Sequence, residues 1–386
     1  MHQLETKDVI KWAGLAGLLV ILVITVVNMP LNLGILDYRG YWSASYLLGQ
    51  GENFSDDALL LYTEQTLTDF QWDFPVKTWN PPWVLVWLLP YTWFGFQIGA
   101  NLWLLTNIAA LFFSIVVSWE LLFPKTLNGP KWLWIPFVAA VLFPSAIVAL
   151  FFGQVNIMVL AGLTGFLFFY KRQQDIPAGL FLTLTTIKPH LVYLVVPILL
   201  LAVLRERRWP VLFTFGGVLI GSTLIAFLLR PTFLSDYLQS TSEGNLLAWE
   251  TATAVTYISI LTGWSWIRLI AIGLLPLTII LWFFKGRNWD LVQFSIWGVL
   301  ASIITMPFGW SYDFVVLLFP ITQLIVWLIV KSWSTIERTI VSLLFIAVYV
   351  IYYAQRVASP TEMFYFWVPL AVASLFIWAA MRHEDG

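Results

Sequence analysis

Residues 80–97 read NPPWVLVWLLPYTWFGFQ. The segment 81–98 is apolar enough to enter a membrane, but proline interrupts it, so it could span, re-enter or lie along the interface. Whether it crosses decides the topology of everything that follows. A crossing helix needs about 20 apolar residues. Such runs lie at 12–30, 100–123, 132–152, 155–170, 210–229, 265–284, 291–306, 314–330, 338–354 and 362–381. The shorter runs 176–187 and 190–204 read as two further spans that meet at Lys188-Pro189-His190.

The basic residues arbitrate, because cytoplasmic loops carry the excess of Lys and Arg. If 81–98 does not cross, Lys7, Lys11, Lys125, Lys131, Lys171, Arg172, Arg205, Arg207, Arg208, Lys285, Arg287, Lys331, Arg338 and Arg382 all fall inside. Only Arg39, Lys77, Lys188, Arg230, Arg268 and Arg356 remain outside. If it crosses, every later loop inverts and the bias disappears. The expectation is therefore an all-α polytopic protein with about twelve transmembrane helices, both termini cytoplasmic, and interfacial helices in the first outer loop.

Composition agrees. Of 386 residues, 60% are hydrophobic and 11% charged, with a mean hydropathy of +0.83. Soluble domains run near 45–50% apolar and 25% charged. The net charge of −1 leaves no basic stripe for nucleic acid. There is no cysteine, hence no disulfide, thiolate nucleophile or Cys-bound metal. His2, His190 and His383 cannot build a multi-histidine site, since two lie at the termini. The 23 tryptophans exceed what two interfacial belts need, which points to a cavity lined by some of them. The first run, Trp12–Met29, is too long for a signal-peptide core, lacks a small-residue cleavage site, and reads as a retained span.

This topology gathers the polar, non-basic loops on the outer side. They are the first outer loop 31–99, FFGQVN at 151–156, IKPH at 187–190, PFGWSYDF at 307–314, and the second outer loop 230–263. The inner loops are short and basic. No Gly-rich nucleotide loop and no tandem repeat is visible, and the chain 1–386 reads as a single transmembrane domain.

Asp37 follows the first span closely. A carboxylate at that depth is costly, so it is a functional candidate; it is equally placed to N-cap a helix Tyr38–Leu48 closed by Gly49. Tyr38, Tyr41, Trp42 and Ser45 would then share one face. Lys188 ends a helix at the outer boundary, where it can bind a phosphate or snorkel to headgroups. His190 can add a second donor or simply sit at the interface. Gln154 and Asn156 are caps or sugar-hydroxyl ligands. Trp310, Tyr312 and Asp313 combine a stacking platform with a carboxylate, and Asp313 is also a good N-cap. Asp56, Asp57, Asp69 and Asp73 read as solvated loop acids.

Taken in order, these stretches resemble the polyprenol-phosphate-dependent glycosyltransferases of family 87, in the GT-C superfamily. DYRGYWSASYLLGQGENF (37–54) resembles the family's D-x-x-x-Y-W/Y-x-A-x-x-L-x-x-G. NPPW resembles its Y-P-P-L, GQVN its G-Q-x-N, IKPHLVYLVVPILLL its K-P-x-x-x-x-x-P, and GWSYDFVVLLFP its S-x-x-x-W-x-Y-D-x-x-L-L-x-P. Order and spacing agree over roughly residues 12–330. Asn80 stands where the family has an aromatic, and Ser311 has no nearby proline. The resemblance implies a GT-C fold in which 81–98 is a membrane-surface helix. It implies Asp37 as general base, Lys188 with His190 on the donor phosphate, and Tyr41, Trp42, Gln154, Asn156, Trp310, Tyr312 and Asp313 around the sugar and acceptor.

The implied reaction is an inverting transfer of a hexose, with mannose the family-weighted sugar, from a polyprenyl-phosphate donor to a glycolipid, glycan or protein. It would take place at the outer face of a bilayer such as a bacterial inner (plasma) membrane. No cofactor and no obligatory metal is expected. The rival class is a transporter or flippase of lipid-linked sugars, which would show inverted repeats and midplane charges; neither is apparent. A lipid-linked oligosaccharide polymerase or ligase would call for outer-loop arginines, and only Arg39 and Arg230 are candidates.

Overall fold

Proline and glycine set where the helices break. The computed structural model describes residues 36–382 apart from 128, 245–247 and 360; the span read at 12–30, with Lys7 and Lys11, lies outside them. Among the described residues there are seventeen α-helices, short 3-10 turns and no strand. Three helices precede the first long one: α1 (Leu36–Gly49), α2 (Asp57–Thr68) and α3 (Trp83–Thr92). Then come α4 (Phe96–Leu122), α5 (Trp134–Leu142), α6 (Pro144–Phe152), α7 (Asn156–Lys171), α8 (Asp175–Leu184) and α9 (Val196–Arg205). The remainder are α10 (Trp209–Leu229), α11 (Phe233–Gly244), α12 (Ala254–Thr262), α13 (Ile270–Phe284), α14 (Leu291–Thr305), α15 (Leu318–Val330), α16 (Thr335–Ala358) and α17 (Trp367–Met381).

Among the described residues, six helical stretches are long and apolar enough to cross a membrane, or seven if the pair α5–α6, bent by 57°, counts as one span. The bend follows from Pro144, which excludes the helical conformation at Phe143 and starts α6 at its own first turn. Four segments read as spans hold helices shorter than a full crossing of about 20 residues. Those at 155–170, 176–187, 190–204 and 291–306 contain α-helices of 16, 10, 10 and 15 residues. Ten residues rise about 15 Å, half of a hydrocarbon core of about 30 Å. Between α8 and α9 proline is the cause: Pro189 pushes Lys188 out of helical geometry, a 3-10 turn Pro189–Val192 intervenes, and Pro197 opens α9.

The ambiguous segment is resolved into a stub. Helix α3 starts directly after Pro81-Pro82 and ends after ten residues, and Gly95 at φ +50° lets the chain restart as α4. At roughly 15 Å, α3 covers half of a hydrocarbon core, as α8 and α9 do, so the distribution of basic residues and not helix length separates it from them. Its tryptophans tie it sideways into the bundle. Trp83 Nε1 donates to Thr186 Oγ1 (3.1 Å) and Trp87 Nε1 to Ser222 Oγ (2.7 Å). Leu85 and Val86 bury against Ala44, Leu47 and Leu48 of α1.

The central helices are α4, α7 and α15, whose residues dominate the core. Helices α7 and α8 meet backbone to backbone: a Cβ on Gly162 would stand 2.8 Å from both Phe181 O and Leu184 Cβ. Small residues permit such close approach in membranes. By contrast, α10, α13 and α16 leave large apolar side chains open, including Phe213, Leu228, Phe284 and Leu343. A helix apolar on its outward face suits lipid rather than water.

The chain has no cysteine, so one introduced thiol reports the side it faces. If α3 does not cross, Thr66→Cys and Leu127→Cys, which flank α3 and α4, will label from opposite sides of sealed vesicles with an impermeant maleimide. Labelling from the same side would mean that the 81–98 segment crosses.

Candidate active site

Asp37 lies in the first turn of α1, and packing fixes that turn. Tyr38 stacks on Phe96 and Trp103 of α4, each at 6.0 Å. Arg39 donates to Thr68 O (3.1 Å) and lies over the rings of Phe70 and Phe96. Gly40 lets the next strap of chain come close, for a Cβ there would be 2.2 Å from Val76 O. The buried Glu64 holds the same strap, both carboxylate oxygens accepting the Val76 N–H at 3.2 and 3.1 Å. Burial raises the Glu64 carboxyl to about 7.

Gln154 reaches Asp37 from the break between α6 and α7. Gly153 makes that break at φ +68°, where a Cβ would collide with Tyr38 Cβ at 2.5 Å. The Gly153 carbonyl accepts from Trp103 Nε1 (2.8 Å). The Gln154 amide is then oriented by its partners. Its Nε2 donates to Asp37 Oδ2, while its Oε1 accepts from Tyr41 OH (3.1 Å) and Lys188 Nζ (2.9 Å).

Lys188 also donates to Asp313 Oδ1 at 2.8 Å, an ion pair with both side chains almost wholly buried. Asp313 Oδ2 accepts the Trp310 N–H (3.0 Å). Asn156 Nδ2 donates to Tyr312 O (2.7 Å) and Asp313 Oδ1 (3.3 Å). The Lys188 ammonium sits 4.9 Å from the Tyr312 ring centroid and 6.0 Å from that of Trp310. Those two rings lie nearly parallel.

A cavity of about 850 Å³ opens in front of this line. Asp37, Tyr41, Gln154, Lys188, His190, Trp310 and Tyr312 line it, together with Trp72, Phe74, Trp79 and Trp249. The size suits a small-molecule headgroup. His190 packs on Phe308 at 4.5 Å and leaves Nε2 without a partner.

Three of the expected ligands do not reach the cavity. Trp42 is buried, donates from Nε1 to Tyr91 O (3.2 Å) and stacks on Tyr46. It therefore belongs to the packing between α1 and α3, because a helix that aims Tyr41 inward turns its neighbour away. Asn156 and Asp313 are fully buried behind Lys188 and Tyr312, so they hold those residues rather than line the wall. Nor do the amides cap a helix: Asn156 opens α7 with no side-chain cap bond. Asp57, read as a solvated acid, pairs with Lys77 at 2.8 Å. Sequence reading missed Glu362, which accepts from the Ser311 N–H at 2.7 Å; it lies in an unremarkable loop, 51 positions away. It also missed Trp79 and Trp249, which only the excess of tryptophan hinted at.

Burial raises the Asp37 carboxyl to about 6, against the pull of the Gln154 hydrogen bond and Lys188. Asp313 and Glu362 push it further up. A carboxylate of raised proton affinity at a cavity edge can take a proton from a hydroxyl. Lys188 has three N–H groups, and two are engaged here. The third can meet an anionic oxygen, from a pair whose net charge is already balanced. Among the described residues, no three His, Asp or Glu side chains gather as a metal would need.

The raised carboxyl has a consequence for stability. The folded state binds the Asp37 proton more tightly than the unfolded chain, so this residue's contribution is fully present below about pH 4 and is lost as pH rises through about 6. Asp37→Asn can still accept from Gln154 through its amide oxygen. It is expected to raise the melting temperature in detergent near pH 8 and to leave it nearly unchanged near pH 4. A fall at both pH values would contradict the burial cost.

No curated protein and no solved structure matches the chain. Residues 78–307 match Glycosyltransferase family 87. The match takes in α3, the Gln154–Asn156 break and Lys188, and it covers more than half of the chain, which therefore belongs to glycosyltransferase family 87.

Proposed function

We propose that the protein moves a sugar from a polyprenyl-phosphate donor to a hydroxyl of a glycolipid, glycan or protein on the extracytoplasmic face of a bacterial plasma membrane. Mannose is the sugar that the resemblance favours. The observation that carries the reading is the line Asp37–Gln154–Lys188 along the cavity, with Asp313 holding Lys188 from behind. One amide links a carboxylate suited to proton uptake with an ammonium suited to a phosphate oxygen. The outer placement rests on the distribution of basic residues and on twelve crossings, the shorter helices α7, α8, α9 and α14 completing the count.

In this mechanism the acceptor oxygen attacks the anomeric carbon from the face opposite the phosphate. The bond from that carbon to the phosphate oxygen breaks, and its electron pair leaves with the lipid phosphate. The acceptor proton goes to Asp37, and the anomeric centre inverts. Lys188 directs its third N–H at the departing oxygen, where charge develops, and such pre-aimed donors are worth most in a water-poor site. Tyr41 and Gln154 keep Asp37 and Lys188 at fixed separation. A monophosphate leaving group needs no divalent ion under this scheme.

The test is release of polyprenyl phosphate from polyprenyl-phosphate mannose by the purified protein, with native lipids as acceptor. Asp37→Asn is expected to lower kcat by about 10²–10⁴-fold. The wild-type rate should rise with pH through about 6, as Asp37 loses its proton. Full activity in Asp37→Asn would remove the base from this residue. Passage of the donor across vesicles without release of lipid phosphate would favour a flippase. The rate should also survive a chelator such as EDTA; loss that Mg²⁺ or Mn²⁺ restores would overturn the metal-free scheme.

A further inference from the structure

The turn Trp310–Asp313 is pinned at every residue. Trp310 N–H goes to Asp313 Oδ2, Tyr312 O to Asn156, and Asp313 Oδ1 to Lys188. Ser311 is held from a part of the chain that none of the other partners comes from, the start of the turn before α17. Its N–H donates to Glu362 Oε2 (2.7 Å) and its hydroxyl to Glu362 Oε1 (3.1 Å). Arg356, in the last turn of α16, donates from Nη1 to the same Oε1 at 2.7 Å. Ser311 is fully buried, while Glu362 and Arg356 keep only about a fifth to a quarter of their side chains open.

We infer that Glu362 is a positioning residue, through which the α16–α17 hairpin fixes the Trp310–Asp313 turn and so sets where Asp313 holds Lys188 against the cavity. The plain alternative is that Glu362 serves its own helix end. It begins the 3-10 turn Glu362–Tyr365, where an acid is common. Its carboxylate, however, bonds to Ser311 and Arg356 and to no N–H of that turn. Arg356 also needs explaining, since it is one of six basic residues on the side where such residues are scarce. Pairing with Glu362 keeps the junction neutral while leaving two carboxylate lone pairs for Ser311. Both the turn and the hairpin lie beyond the stretch that matches the family.

Glu362 also contributes charge. The groups that face Asp37 are Lys188, Asp313 and Glu362, with Gln154 bonded to it and Tyr41 and Tyr312 nearby. Removing one negative charge from this set favours the ionised Asp37. Glu362→Gln should therefore shift the acid limb of the rate profile to lower pH, which a purely structural support would not do.

Two measurements test the inference. The first is amide hydrogen exchange of the purified protein, which needs no substrate. Glu362→Ala is expected to speed exchange across residues 310–313 by about tenfold or more, with α7 and α15 unchanged. Unchanged protection there overturns the inference. The second is the transfer assay, and it rests on the proposed reaction. Glu362→Ala should lower kcat by about 10–100-fold, as a displacement of about 1 Å does, with the donor KM nearly constant. Glu362→Gln should keep more activity and show the lowered acid limb, and Ser311→Ala should fall between wild type and Glu362→Ala. If Glu362→Ala does not fold, the Gln and Ser311 variants carry both measurements. Wild-type activity that is lost in Asp37→Asn but unmoved in rate and pH by Glu362→Gln refutes this inference alone. Inert wild-type protein with the exchange pattern as expected refutes the reaction and leaves the positioning role standing.

Discussion

Lys188 and Asp313 are both shut away from water, and neither can be so alone. Moving one of them out of solvent costs several kcal/mol, and only a partner at contact distance with its other hydrogen bonds filled offsets the loss. The structure meets that condition. Asp313 has Lys188, Asn156 and the Trp310 N–H; Lys188 has Asp313, Gln154 and the faces of Tyr312 and Trp310. These partners come from α7, from the turn before α15, and from the junctions α6–α7 and α8–α9. The pair thus ties together three stretches distant in sequence, since Gln154 and Asn156 flank one break, and truncating either member would leave about 3–5 kcal/mol of uncompensated burial.

Asp37 is treated differently, and the difference assigns the roles. Among the described residues its one side-chain donor is the neutral amide of Gln154, and no cation forms an ion pair with it. A buried carboxylate without an ion partner keeps its proton to higher pH. The same amide shows its oxygen to Lys188 and its nitrogen to Asp37. Gln154 therefore transmits orientation without transmitting charge. Replacement by Glu would reverse that, adding a third acid beside Asp313.

Much of this could be read from the sequence, and the unread parts share a cause. Asp37, Tyr41, Gln154, Lys188, His190, Trp310 and Tyr312 were singled out as separate local signals, and one cavity wall receives them all. Pro81 and Pro82 mark where α3 begins, whereas the break at Pro144 falls inside the segment 132–152 that reads as one span. Trp42 was misplaced because α1 is buried on nearly every side, so apolar periodicity could not separate the face toward the cavity from the face toward α3. The resemblance puts Asn156 and Asp313 around the sugar and acceptor, while residue type says only that a polar group needs partners, without saying whether those are a substrate or each other. Glu362 left no trace because a hydrogen bond spanning 51 residues has no local pattern. Span lengths were overread for a related reason: hydropathy counts apolar residues, whereas Pro189 and Pro197 decide how many of them form continuous helix.

The basic residues that the proposed topology puts on the outer side extend the argument from the site to the bilayer. Arg39 binds Thr68 O and two aromatic faces, and Arg268 binds Trp249 O. Lys77, Lys188, Arg230 and Arg356 pair with Asp57, Asp313, Asp236 and Glu362. None of the six is a spare surface charge, and each holds a loop or helix end that builds the cavity side of the molecule. Their presence weakens the charge bias that orients the chain, yet each is matched by a nearby acid or held by carbonyls and rings. A membrane enzyme that works on an anionic headgroup needs cations on that side. Supplying them as fixed, neutralised pairs lets the site offer N–H donors there without adding unpaired positive charge to it.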